Sequence, residues 1–148
     1  MKLQVNTTLA LYSAIEFAAD PERHIPASEI AQKYGVSPHH LAKVLAELTR
    51  AGIVESVRGV GGGYRFAASA RRLTLMDVIQ LFEDFSPTVA ENAAEDTPVV
   101  RALEQVLSEI DETAKATFRS ITLATMLRLV QRQTDAEGTA PAPSPVPG

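Results

Sequence analysis

Gly59, Val60, Gly61, Gly62 and Gly63 form the one glycine cluster of this sequence, and a phosphate-cradling loop is the first chemistry it suggests. Such a loop needs Lys and Ser or Thr after its last glycine and then a helix. Here Tyr64, Arg65 and Phe66 follow and resume a strand, so a nucleotide-binding loop is not expected. Glycines in this setting serve a tight turn that requires positive φ, or let backbone come close to a partner. If the turn is the tip of a hairpin wing, that partner is a sugar–phosphate backbone. Arg58 then stands at the tip, able to enter a minor groove, with Gly61 beside it in the turn.

His39, His40 and Lys43 are the second group with chemical potential. They fall in the first turns of a predicted helix, where side chains reach base edges and the positive helix end favours phosphate. Adjacent histidines diverge by about 100° on a helix, and no nearby carboxylate completes a set of ligands, so no metal site is expected. His24 belongs to a loop. The serines, threonines and three histidines show no nucleophile–base spacing, and no enzyme is expected. The absence of cysteine excludes disulfides, cysteine-ligated zinc and a thiolate-held iron–sulfur cluster.

The elements that must position these groups can be read from local patterns. Ser37 followed by Pro38 is a helix start, an N-cap hydroxyl before proline at the first helical position. Leu41, Val44, Leu45 and Leu48 give the helix an apolar stripe, and Gly52 stops it. A first helix is expected over 6–20, with Leu11, Ala14, Ile15 and Ala18 facing inward and Pro21 ending it. A second is expected over 27–34, closed by Gly35. The spacing is that of a helix-turn-helix, and strands at 53–57 and 64–66 make it a winged helix. Thr74 caps a fourth helix through Phe85, with Asp77 completing an approximate capping box.

Residues 86–98 are acidic, flanked by prolines and without a period, which predicts a linker that could lid a pocket. From Val99 a long helix begins. Val99, Leu103, Val106, Ile110, Ala114 and Phe118 lie on a narrow apolar seam in steps of three and four, with too little chain left over to cover it, so a homodimer through this helix is expected. A break near Ser120 and Thr122 precedes a shorter helix, with Leu123, Met126, Leu127 and Val130 apolar, ending near Gln133. The predicted organisation is a winged helix-turn-helix domain at 1–85, a linker at 86–98, dimerisation helices at 99–133 and a disordered Pro-rich tail at 134–148. The fold class is mainly α, with a small β-hairpin wing and a long C-terminal dimerisation helix.

With 148 residues, 45% of them hydrophobic and 22% charged, the chain can bury one domain core plus an accessory element. Net charge is −4, but it is unevenly spread. Residues 28–75 carry seven basic against three acidic side chains, and residues 76–148 carry five against twelve. A basic middle beside an acidic second half suits one face for phosphate and another for protein. Polar residues interrupt the first 19 positions, and no apolar run approaches the roughly 20 residues that span a bilayer. A cytoplasmic protein without membrane contact is expected.

Several stretches together resemble the Rrf2 family of bacterial winged-helix regulators. They are the Met1-Lys2-Leu3 opening, Glu29-Ile30-Ala31, Val36-Ser37 and Ala51-Gly52-Ile53-Val54. Most specific are Ser56-Val57-Arg58-Gly59-Val60-Gly61-Gly62-Gly63-Tyr64 and Leu73-Thr74-Leu75-Met76-Asp77-Val78-Ile79. The likeness covers residues 1–85, and Thr122-Leu123-Ala124 resembles the family's C-terminal part. It implies a transcriptional regulator that binds a palindromic operator as a homodimer with crossing long helices, and a repressor is expected because a bound dimer at a promoter needs only to block polymerase. By position, Ser37, His39, His40 and Lys43 would enter the major groove, Arg58 the minor groove, and Lys2, Tyr64 and Arg65 would support backbone contacts. Many members hold an iron–sulfur cluster with three cysteines in the loop and early dimer helix. Residues 86–103 here have none, so no cofactor is expected, and any signal comes from another small molecule or a protein effector. Ala42 stands where many relatives place a polar residue such as Glu, so no relative's operator carries over. The competing expectation is a winged-helix protein-interaction module that has lost DNA binding.

Overall fold

The computed structural model describes residues 2–85, 96–139 and 146. Among them the elements run α1 (Val5–Ala19), α2 (Ala27–Tyr34), α3 (Pro38–Arg50), β1 (Val54–Val57), β2 (Gly63–Phe66), α4 (Leu75–Ile79), α5 (Pro98–Ser120) and α6 (Leu123–Thr139). The chain is mainly helical, with β1 and β2 paired antiparallel and Val54, Glu55, Ser56 and Val57 opposite Phe66, Arg65, Tyr64 and Gly63. No helix among the described residues is long and apolar enough to cross a membrane.

Local chemistry explains most boundaries. Gly35 takes the left-handed conformation that ends α2, and Ser37 Oγ accepts the His40 backbone N–H at 3.1 Å to start α3. Thr74 and Asp77 form a complete capping box at the start of α4. That helix stops at Ile79 rather than running on through Phe85. The backbone N–H groups of Leu81 and Phe82 bond three residues back, and Glu83 turns away to meet α1. Its carboxylate accepts from the Gln4 N–H and the Thr7 hydroxyl, both at 2.7 Å. A negative group thereby sits at the positive end of α1, where Gln4 makes no side-chain cap of its own.

The core gathers Phe17 of α1, Leu41, Val44, Leu45 and Leu48 of α3, Val54 of β1, Val78 of α4 and Leu123 of α6. On α1 the inward face differs from the expected stripe. Ala14 and Ala18 are buried, but they are joined by Thr7, Leu9, Ala10, Ser13 and Phe17, while Leu11 and Ile15 are only partly covered. Burial of the two hydroxyls is permitted because Ser13 donates to the Leu9 carbonyl at 2.8 Å and Thr7 donates to Glu83.

The C-terminal helices behave unequally. α5, capped by Thr97, buries no residue. α6 begins inside the core of the first module, which the division at residue 85 does not anticipate: Leu123 is fully buried, and a bridge pairs Thr74 with Thr122. Leu75 N–H donates to the Ile121 carbonyl and Leu123 N–H to the Leu73 carbonyl, each at 2.9 Å. α6 continues to Thr139, six residues beyond its expected end at Gln133, so 134–139 are helical rather than part of a disordered tail. The Gln131–Asp135 side-chain bond supports that extra turn. Linker residues 86–95, expected to lid a pocket, and tail residues 140–145, 147 and 148 lie outside the described residues.

Candidate nucleic-acid interface

Burial of Leu41, Val44, Leu45 and Leu48 leaves His39, Ala42, Lys43, Ala46 and Arg50 on the outer face of α3. His39 and Lys43 are one turn apart. Arg50 is occupied by an ion pair with Glu47, whereas Lys43 forms none among the described residues. Ser37 is exposed at the N-cap. His40 is half-buried, and its Nε2 lies 2.5 Å from Asn6 Oδ1 on the first turn of α1. The four residues expected at the major groove therefore share one helix end, but only His39 and Lys43 project without a side-chain partner.

The wing is built by close contact. Gly62 N–H donates to the Gly59 carbonyl at 2.9 Å, and a Cβ on Gly62 would meet the Val57 carbonyl at 2.4 Å. A Cβ on Gly63 would meet the Ile25 carbonyl at 2.6 Å. That closeness exists because Ile25 and Tyr64 exchange both backbone hydrogen bonds, at 2.8 and 2.9 Å, a one-residue bridge on the outer edge of β2. Pro26 then precedes α2, so the hairpin is clamped near its turn to the leading helix of the helix-turn-helix. Ile25 was not expected in this role. The signal was a β-branched residue before proline, a pair biased to extended backbone.

Arg58 is exposed at the wing tip beside Val60 and forms no ion pair among the described residues, and Gly61 lies in the turn with φ of 76°. Arg65 instead pairs with Glu55 directly across the hairpin. The Tyr64 ring leans on Phe17 at 6.3 Å between centroids, which ties the wing to the core. Lys2 is exposed ahead of α1. Among the described residues Lys2, Lys43, Arg58, Arg71, Arg72, Arg119, Arg128 and Arg132 form no ion pair, and four of these eight lie in the basic 28–75 segment.

No group of three or more His, Asp or Glu side chains among the described residues could hold a metal ion. Farther along α1, burial opposes ionisation of Glu16, but hydrogen bonds from Lys33 and Tyr34 outweigh it and hold the carboxyl below its ordinary range. These groups satisfy one another, and nothing in their arrangement pairs a nucleophile with a base.

Comparison with known proteins agrees with this geometry. The family model described as Rrf2, iron-dependent transcriptional regulator, matches residues 3–129. The HTH-type transcriptional regulator BadM of Rhodopseudomonas palustris is 47% identical over 133 residues, covering 90% of this chain and 85% of its own. Two solved structures superpose closely. CymR, the global cysteine regulator of B. subtilis, has a TM-score of 0.72 at 26% identity, covering 87% of this chain and 98% of its own. IscR of T. potens has a TM-score of 0.71 at 27% identity, covering 97% and 94%. A thiolate-held iron–sulfur cluster does not fit the residues present, because the sequence has no cysteine. With a winged helix-turn-helix, a basic reading face and a family match over nearly its whole length, the chain belongs to the Rrf2 family and is a DNA-binding transcriptional regulator, not an enzyme.

Proposed function

We propose that two copies of this chain pair through α5 and set their winged helices on a palindromic operator, repressing transcription by obstructing polymerase. The observation that carries the pairing is α5 itself. It has 23 residues and buries none of them, while Val99, Leu103, Val106 and Ile110 remain more than half exposed in heptad-like steps. Phe118 extends the seam and is partly covered. A solvent-facing apolar ridge of this length, about 34 Å at 1.5 Å per residue, is stabilised by a second copy of itself.

On DNA, Ser37, His39, His40 and Lys43 belong in the major groove, because the N-terminal residues of a second helix in this motif meet base edges. Arg58 belongs in the minor groove with Gly61 allowing close backbone approach, and Lys2, Tyr64 and Arg65 attend the phosphates. Within this division of the chain, 1–85 reads DNA, 86–98 links and 99–133 pairs, with 121–127 also anchored in the reading domain. Arg58→Ala tests the assignment. It is expected to weaken binding to a selected operator by about tenfold and to lower the salt dependence by about one counterion per protomer. Affinity and slope unchanged across a salt series would show that the wing tip does not touch DNA.

A further inference from the structure

We infer that Asn6 is a specificity-determining residue, holding His40 so that its free ring nitrogen accepts a hydrogen bond from the exocyclic amino group of an adenine or cytosine in the major groove. The inference rests on the proposed operator reading and extends it to a residue on another helix. His40 is the third residue of α3, its backbone N–H held by Ser37 Oγ and its Nε2 2.5 Å from Asn6 Oδ1. Main chain and ring each have a hydrogen-bond partner, and the ring's partner belongs to α1.

The acceptor on Asn6 determines what the ring offers. An amide oxygen takes a proton, so Nε2 carries the hydrogen and Nδ1 of the neutral imidazole is left with its lone pair. No hydrogen bond to Nδ1 forms among the described residues. In the major groove the matching donors are adenine N6 and cytosine N4, whereas guanine presents only acceptors on that edge. His39, one position earlier and fully exposed, has no such partner and is not restricted to one tautomer by its surroundings. Of the two adjacent histidines, His40 is the discriminating one because Asn6 constrains it.

The test selects bound sequences from random duplex DNA with the full-length wild-type chain and with Asn6→Ala, Asn6→Asp and His40→Ala. Asn6 is exposed and alanine is the strongest helix former, so the alanine variant keeps α1 intact. Wild type is expected to enrich adenine or cytosine at one position of each half-site. Asn6→Ala and His40→Ala should flatten that position by roughly five- to tenfold and leave the others. Asn6→Asp, whose carboxylate oxygen also accepts from Nε2–H, should keep the wild-type preference at that position. Unchanged selection by Asn6→Ala, or an even loss at every position, overturns the inference alone. A wild-type preference for guanine there overturns it too, because the amide would then be donating to Nε2. If wild type selects no sequence while the chain stays folded, the operator reading fails and this inference with it.

Discussion

The wing and α5 solve opposite problems with similar materials. In the paired strands of the hairpin the groups find partners within the chain: Val54 and Phe66 are buried, Tyr64 exchanges hydrogen bonds with Ile25, and Arg65 pairs with Glu55. In α5 the apolar residues have no such partners. Val99 is 77% exposed and Ile110 58%. One region is finished by the fold and offers cations outward, while the other is an unfinished surface that offers carbon. In the proposed assembly that difference gives them different partners, phosphate for the first and a copy of the same helix for the second.

Ile110→Asp is expected to have the largest effect of the changes that bear on this contrast. By symmetry it places two carboxylates in the seam of each dimer, at a cost of at least about 3 kcal/mol, on the order of a hundredfold in dissociation. Sedimentation should show monomers with helix content retained. A persistent dimer would move the interface elsewhere, and loss of the fold would mean that α5 is packed within its own chain.

Gly63→Ala attacks the other side. With its Cβ 2.6 Å from the Ile25 carbonyl, the Ile25–Tyr64 exchange must open, and losing two hydrogen bonds costs about 2 kcal/mol. The urea midpoint should fall and DNA affinity with it, while the dimer persists. If Gly63→Ala dissociates the dimer, the two regions are not separate.

The smallest effect concerns acid. Glu16 has a folded-state pKa below its ordinary 4.5, so its contribution is present above that value and is lost as pH falls through the lower one. Because the Lys33 end of the pair is exposed, Glu16→Gln should change stability by less than about 1 kcal/mol near neutrality and flatten the acid limb of a pH–stability profile. A variant that leaves the acid limb unaltered would show that Lys33 and Tyr34 do not depend on the charge.

What could be read from residue order follows the range of the forces involved. Ser37 with Pro38, Gly35, and Thr74 with Asp77 act over a few residues, and α2, α3 and the start of α4 stand where those signals put them. The reading face of α3 followed from its apolar stripe. α1 was legible as a helix but not in phase, because Leu9, Ala10, Leu11, Ala14, Ile15, Phe17 and Ala18 surround it with apolar side chains and leave no period to follow. The Ile25–Tyr64 clamp, the turn of Glu83 toward Gln4 and Thr7, and the Asn6–His40 contact join residues far apart in sequence. No local pattern announces them, and they are the contacts that fix how the reading helix and wing are held.

The Thr74–Thr122 bridge has a mechanical consequence. Because Leu73, Leu75, Ile121 and Leu123 are stitched together by main-chain bonds, α6 and the DNA-reading head turn as one solid body. A change of angle between that body and the long rod of α5 falls on the Ser120–Ile121 junction, ahead of the pinned Ile121 carbonyl, and disturbs the contact of Lys115 with the Phe85 ring. In a paired molecule the distance between the two heads would then be set by the rods, as the span of a caliper is set by its arms and a single joint on each side.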